Sequence, residues 1–560
     1  MITVMMIFLI KAFMYLIIND PMKIICTIGL FAILGLTCVR AQDSTNMVRI
    51  EDDEFWYGFA VNEGEKMPFP EGYNADLNGN IYGNQASPLL LSSKGRYIWS
   101  EDPFAFKIEN GQIILSNNLS AIKTGKSGAS LREAYTFVSG HFFPTEGKNP
   151  DISLFTSPQY NTWIELIYDQ NQEDILQYAH DIIKNGFPPG VLMIDDNWAP
   201  YYGRFEFRKD RFPNAKAMVE ELHELGFKVM LWISPFIRPD SEEGRFLMKN
   251  KWVVMDNGGN KDLKWGNSVK PAIVEWWNGF SMVMDFTNPD ASDWFHQQLE
   301  AMVKEYGIDG FKFDAGDSQY YAGNAVTYKK VNPNEHTRLW GEFGLKYPLN
   351  EYRAMWKMGG APLVERLRDK LHTWDDLGKL IPHITTAGLL GYPFTCPDMI
   401  GGGSFESFID TNSNKLSQDL IVRSAQCHAL MPMMQFSVAP WRVLDDKHLE
   451  AVKKAVKIRE AFVPEILRLV RNSAKTGEPI VTNMEFRFPN QGFSHCKDQF
   501  MLGENTLVAP IITGSNTRTV YLPKGKWVDY KGKKRKGGRK YEYTAEIDEI
   551  IWFKKNMESK

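Results

Sequence analysis

The stretch Ile308-Asp309-Gly310-Phe311-Lys312-Phe313-Asp314-Ala315-Gly316-Asp317 decides how the chain is read. A helical pattern over 292–306 runs into it, and Gly307 is the residue type that stops a helix. Residues 308–313 then predict a short buried strand with Asp314 at its C-terminal end. Lys312 stands two residues earlier, on the same strand face. A carboxylate so placed is held at the mouth of a parallel sheet, where α/β folds form their ligand sites. Asp314 is therefore a candidate nucleophile. The structural alternative is a strand-end Asp that caps the following loop.

On both sides of this stretch strands alternate with helices, which implies a parallel sheet. Strands are predicted over 162–166, 190–198, 228–236 and 308–313, in a segment ending at 392–402, and over 432–441. Helices are predicted over 172–185, 215–225, 374–389, 418–429 and 446–470. A loop-rich insertion at 256–271 breaks the rhythm. Carboxylates recur at strand ends, as they do on the catalytic face of a (β/α)8 barrel, so 154–473 is expected to be a TIM barrel. Before it, 42–153 is all-β, with Phe55-Trp56-Tyr57-Gly58-Phe59 and 87–99 among short strands split by Gly, Pro and Asn turns. A β-sandwich is expected there, and a second β-domain over 474–560. The basic run 531–540 is expected to be a solvated hairpin loop rather than a polyanion site.

At 560 residues the chain has room for a barrel and smaller partners. Its 44% hydrophobic and 24% charged residues are a globular composition. A net charge of -4 offers no reason to expect nucleic acid or an acidic membrane surface. Sixteen Trp suit sugar faces that stack on rings, as they also suit a core.

Two apolar runs open the chain, 1–18 and 24–36. Lys23, the short second run, and Val39 and Ala41 resemble a secretory signal cleaved after Ala41, with 1–21 an N-terminal extension. The alternative is a signal anchor, the only route by which a membrane enters. The second run is short for a span, which favours secretion. Cys26 and Cys38 would leave with the signal. Cys396, Cys427 and Cys496 make no full disulfide framework and no metal spacing, and no cofactor is expected. Asn118-Leu119-Ser120 is a glycosylation sequon if the chain is exported.

Cleaving a glycosidic bond takes two carboxyl groups. Asp369, within Glu365-Arg366-Leu367-Arg368-Asp369-Lys370-Leu371-His372-Thr373-Trp374, is the candidate partner of Asp314. Spacing alone does not separate it from an ordinary member of a charged loop.

Five segments in order carry a resemblance that bears on this. They are the Asp314 strand; Arg366 with Asp369-Lys370 and Trp374; Gly391-Tyr392-Pro393-Phe394 with Pro397-Asp398-Met399-Ile400-Gly401-Gly402; Gln499 to Gly503 with Leu507-Val508-Ala509-Pro510 and 521–527; and 87–99. Together they resemble glycoside hydrolase family 31, in its myogenesis-regulating-glycosidase-like branch. The resemblance implies a retaining α-glycosidase acting on a terminal α-linked hexose, an α-galactoside or α-glucoside, by double displacement. Asp314 would attack and Asp369 would serve as acid and base, with its pKa raised by burial and by ionised Asp314. Asp195, Asp196, Trp232, Lys312, Arg366 and Asp398 would line the sugar site. Many members carry an Arg-Ser pair about a dozen residues before the acid/base; Lys357-Met358 stands there, which makes Lys357 the expected substitute. The alternative function is a non-catalytic, glycosidase-like ectodomain that binds carbohydrate or protein. The presence of both carboxylates favours the enzyme.

Overall fold

The computed structural model describes residues 46–256, 270–321, 323–409 and 416–556. The expected signal segment and the centre of the 256–271 insertion lie outside them.

Eight strands form the barrel: β1 (Gln159–Asn161), β2 (Val191–Ile194), β3 (Lys228–Ile233), β4 (Gly310–Phe313), β5 (Asn350–Tyr352), β6 (Glu365–Arg366), β7 (Thr395–Cys396) and β8 (Gln435–Phe436). They pair in parallel in the order β7-β6-β5-β4-β3-β2-β1-β8. Closure comes just past β7, where Met399 bridges Gln435 and the Ile400 N–H donates to the Gln435 carbonyl at 2.8 Å. The chain therefore folds as a TIM barrel, with its strand ends converging on one rim.

The helix feeding β4 shows why the decisive stretch sits as it does. It spans Pro289–Tyr306, starts with the Asn288 side chain accepting from the Asp290 N–H and Pro289 in the first turn, and ends at Gly307 with φ 78°. Ala291, Phe295, Leu299 and Met302 are its buried stripe. Gly310 then opens β4 against β5 so closely that a Cβ there would lie 2.0 Å from the Leu349 carbonyl oxygen.

Two strand expectations need correction. Residues 162–166 are not the first strand. Asn161 Oδ1 accepts the Trp163 N–H at 2.8 Å and ends β1, and Trp163–Leu166 is one helical turn that Ile167 leaves at φ 49°. Strands β5 and β6 were not foreseen at all. Their sequences, Asn-Glu-Tyr and Glu-Arg, put charged side chains inside the barrel, where an apolar run would have announced a strand. The long helix after β8 also outruns its predicted end. It spans Asp446–Thr476, with Pro464 inside, and Gly477 stops it at φ 72°.

β-sheet domains flank the barrel. On the N-terminal side, Trp56–Ala60, Gln85–Ser92, Arg96–Trp99 and Lys123–Lys126 form one antiparallel sheet, and Asn74–Asp76, Ala105–Glu109 and Gln112–Ser116 lie in another. Met355–Trp356, from the segment between β5 and β6, adds in parallel to Gln85 and Ala86 and ties this domain to the rim. On the C-terminal side a six-stranded sheet and a two-stranded ribbon enclose Met501, Leu507, Trp527 and Phe553.

Candidate active site

Asp314 leaves β4 with its N–H still in the ladder, donating to the Ile233 carbonyl at 2.9 Å. The chain then turns sharply through Ala315 at φ 57° and Gly316 at φ 76°. A Cβ on Gly316 would lie 2.4 Å from the Trp340 ring, so only glycine fits there. The turn aims the Ala315 N–H at Asp314 Oδ1 (2.7 Å), Arg353 Nε donates to the same oxygen (2.9 Å), and Trp232 Nε1 donates to Oδ2 (2.9 Å). The carboxyl is buried, at 8% exposure. Burial alone would raise its pKa, but the charges of Arg353, Lys312 and Arg366 outweigh burial and hold it well below the usual carboxylate range. Asp314 is thus ionised at any physiological pH, as a nucleophile must be.

Strand register assembles the rest. Trp232, Lys312 and Glu351 are neighbours on β3, β4 and β5. Lys312 Nζ donates to Asp195 Oδ2 at 2.7 Å, and both side chains are buried. Glu351 accepts from Gln435 Nε2 (2.9 Å), which also donates to Gln159 Oε1 (2.9 Å), so a polar chain crosses the barrel interior from β1 through β8 to β5. Sequence patterning missed Glu351 and Gln159, because buried polar residues on short strands look like loop; Gln435 falls within the predicted strand 432–441.

Asp196 follows β2. It accepts from the Asn197 N–H (2.7 Å), the Tyr202 hydroxyl (3.0 Å) and Asn278 Nδ2. Burial, then the adjacent Asp195 charge, raises its pKa to about 7. Asp196, Tyr202, Trp232, Ser234, Phe236 and Asn278 are among the residues lining a cavity of about 360 Å³, within the range of small-molecule sites. Asp314 and Asp369 do not line that cavity. Trp232 joins it to Asp314, one edge on the cavity and its N–H on the Asp314 carboxylate.

Asp369 sits on the loop after β6, with 39% of its side chain exposed. Asp398 braces this loop. It is fully buried at φ 84° and accepts from Arg366 Nη1 (2.8 Å), the Lys370 N–H (2.7 Å) and the Gly403 N–H (3.1 Å). Burial raises Asp398 to about 6. Arg366 Nη1 also bonds Asp369 Oδ1. Loss of water around the Asp369 carboxyl raises its pKa, but Arg366 and Lys312 outweigh this, and the group lies below its ordinary value despite the opposing charge of Asp314.

Three expectations change accordingly. Asp369 is ionised in the free protein rather than held protonated, because Arg366 pairs with it. Asp398 is a fully buried support of the Asp369 loop, both of its carboxyl oxygens taken by protein donors, and Arg366 braces the same loop through Nη1. Lys357 is not part of the site: its ammonium bonds the Glu101 carbonyl oxygen at 2.6 Å and lies 3.4 Å from Glu101 Oε2. An arginine does reach Asp314, namely Arg353, sixteen positions before Asp369. Besides Asp314, its guanidinium holds Asp317 and the Gly83 carbonyl (2.7 Å) and lies 5.5 Å from the Trp277 ring centre. Tyr202, Trp277 and Asn278 carried no sequence signal, since they stand in loops and at a hairpin tip. Cys396, Cys427 and Cys496 are all free thiols.

Fixed charge thus stands against an aromatic-walled hollow on the C-terminal rim of a parallel barrel, the face on which TIM-barrel enzymes build their sites. Models of the family's domains match this chain twice, the glycosyl hydrolases family 31 TIM-barrel domain over residues 158–364 and the family 31 C-terminal domain over 477–556. The chain belongs to glycoside hydrolase family 31. Mouse myogenesis-regulating glycosidase is 32% identical over 76% of this chain and 60% of its own length, in line with that branch. Alpha-glucosidase 2 of Bacillus thermoamyloliquefaciens is 26% identical over 69% of this chain and 50% of its own length. The chain spans between 42% and 64% of the length of eight curated relatives that it matches. The fold is shared with the Flavobacterium johnsoniae GH31 dextranase complexed with glucose, at TM-score 0.79 and 19% identity over 91% of this chain and 66% of that one. Asp314 lies within the matched barrel segment and Asp369 five residues beyond it.

Proposed function

We propose that the protein is a retaining α-glycosidase that releases a terminal α-linked hexose, galactose or glucose, by double displacement. One observation carries this: a buried carboxylate at the end of β4, ionised by Arg353 and Lys312 and oriented by the Trp232 N–H. Asp314 attacks the anomeric carbon, the bond to the leaving oxygen breaks, and Asp369 supplies the proton. In the second step Asp369 takes a proton from water, which displaces Asp314. Asp196 grips hydroxyls of the sugar and Trp232 gives it a flat apolar wall. Since the free protein holds Asp369 ionised, the productive form is the fraction that has taken up a proton, and turnover favours acid pH.

The test is a panel of aryl α-glycosides (glucose, galactose, xylose, sulfoquinovose) at several pH values, with Asp314→Asn alongside. Turnover of the galactoside or glucoside that vanishes in a folded Asp314→Asn protein is the expected result. Normal activity in that variant removes the nucleophile, and inertness of the wild type on every glycoside removes the enzyme. We also propose export. N-terminal sequencing of the mature protein should then begin at residue 42, and an intact leader would indicate an anchor.

A further inference from the structure

Between Lys524 and Lys540 nine basic residues stand against one acid, Asp529, in a chain whose net charge is -4. Strand Lys526–Asp529 pairs antiparallel with Lys534–Lys536, the edge strand of the C-terminal six-stranded sheet. Gly537 and Gly538 then carry the chain round a corner into strand Arg539–Thr544. The register sets Lys526 directly opposite Lys536, a like-charge pair across one rung, which is unfavourable in isolation. Lys534 shares a face with Lys536, roughly 7 Å along the strand. Within the run Lys531 pairs with Glu549 at 2.7 Å and Arg535 with Asp529 at 2.9 Å. Lys533, Lys534, Lys536, Arg539 and Lys540 are exposed and pair with no carboxylate among the described residues. Glu542 is the one acid on the strand that follows.

We propose that this corner is a docking strip for a linear acidic polysaccharide bearing sulfate or carboxylate groups. Guarding a sheet edge needs a charge or two on the edge strand. It does not need a like-charge rung, nor a charge row continued round the corner to Arg539 and Lys540. A membrane surface would call for apolar side chains beside the cations, and every large exposed hydrophobic among the described residues, from Met47 to Ile409, lies outside this domain. Single-stranded nucleic acid would call for free stacking rings. Tyr541 is occupied, its hydroxyl donating to the Lys536 carbonyl at 2.8 Å and its ring lying 5.3 Å from the Arg535 guanidinium. An extended strand instead presents cations at regular intervals, matching a polymer with an anion on each repeat.

The proposal is independent of turnover in the barrel and is tested on the full chain with heparin as probe. A variant carrying Lys533→Ser, Lys534→Ser, Lys536→Ser, Arg539→Ser and Lys540→Ser should bind at least 10-fold more weakly at 50 mM salt, with its melting temperature unchanged. Lys536→Ser alone should produce a measurable part of that loss. Wild-type affinity should fall steeply as salt rises, because bound counterions are released. A control with Lys447, Lys453, Lys454 and Lys457 changed to Ser, all on the helix Asp446–Thr476, should change affinity less than 2-fold. The proposal is overturned if the wild type does not bind heparin, if the control loses as much as the strip variant, or if phosphatidylserine vesicles or DNA bind more tightly than heparin.

Discussion

Asp196→Asn offers a sharp test of the site's electrostatics. Folding raises this carboxyl from an ordinary 3.8 to about 7, mainly because burial strips its water and secondarily because Asp195 is charged beside it. Between those two values the unfolded chain has released the proton and the folded chain still holds it. The group therefore costs nothing below the unfolded value, and its cost grows as pH climbs until it is complete above pH 7. The shift of about 3 units corresponds to ~4 kcal/mol at full development. About 2–3 kcal/mol of that accrues between pH 5 and pH 8. Asparagine keeps the shape and one acceptor oxygen for the Asn197 N–H and Tyr202, and it does not titrate. Any hydrogen-bond loss in the variant is the same at both pH values and cancels in the difference. Urea unfolding of both proteins at pH 5 and pH 8 is the assay. The variant should gain about 2–3 kcal/mol relative to wild type on going from pH 5 to pH 8. Equal pH slopes in the two proteins would refute a buried, charge-strained Asp196.

Further outcomes concern catalysis and packing. Asp369→Ala should slow substrates with poor leaving groups far more than activated aryl glycosides, and equal losses would argue against proton transfer by Asp369. Because burial is outweighed by cations at both Asp314 and Asp369, kcat/KM should decline as pH rises past the ordinary carboxylate range, and an optimum above neutrality would contradict this. Gly403→Ala would put a Cβ 2.6 Å from Asp398 Oδ1 and 2.9 Å from Asp369 Oδ1, so kcat should drop roughly 100-fold with little change in melting temperature. Gly310→Ala should instead cost ~3 kcal/mol or more of stability in a denaturant titration, since its Cβ would meet backbone. Lys357→Ala should leave kcat/KM on aryl glycosides within about 2-fold, as its ammonium is engaged by Glu101.

What the sequence made legible follows a physical line. The helix ending at Gly307 and the strand delivering Asp314 were readable because the apolar stripe, the helix stop and the terminal carboxylate all agree. Helices Trp374–Leu389 and Gln418–Ala429 match their predicted bounds for the same reason. Strands β5 and β6 were not readable, because a barrel interior satisfied by Glu351, Arg366 and Gln435 has no hydrophobic period. Arg353 escaped notice because its role depends on a long-range approach to Asp314. The protonation state of Asp369 was misjudged because proximity to Asp314 was weighed without the cation that faces both.

The short parallel strand Met355–Trp356 has a bearing on biosynthesis. It lies some 270 positions downstream of Gln85 and Ala86, the residues it pairs with. A growing chain therefore exposes that edge of the N-terminal sheet until more than half the polypeptide has been made. Vectorial, domain-by-domain folding would stall with an open seam there. Chains truncated near residue 153 are expected to aggregate, and a chaperone that shields β-edges during translation would be of most use to this region.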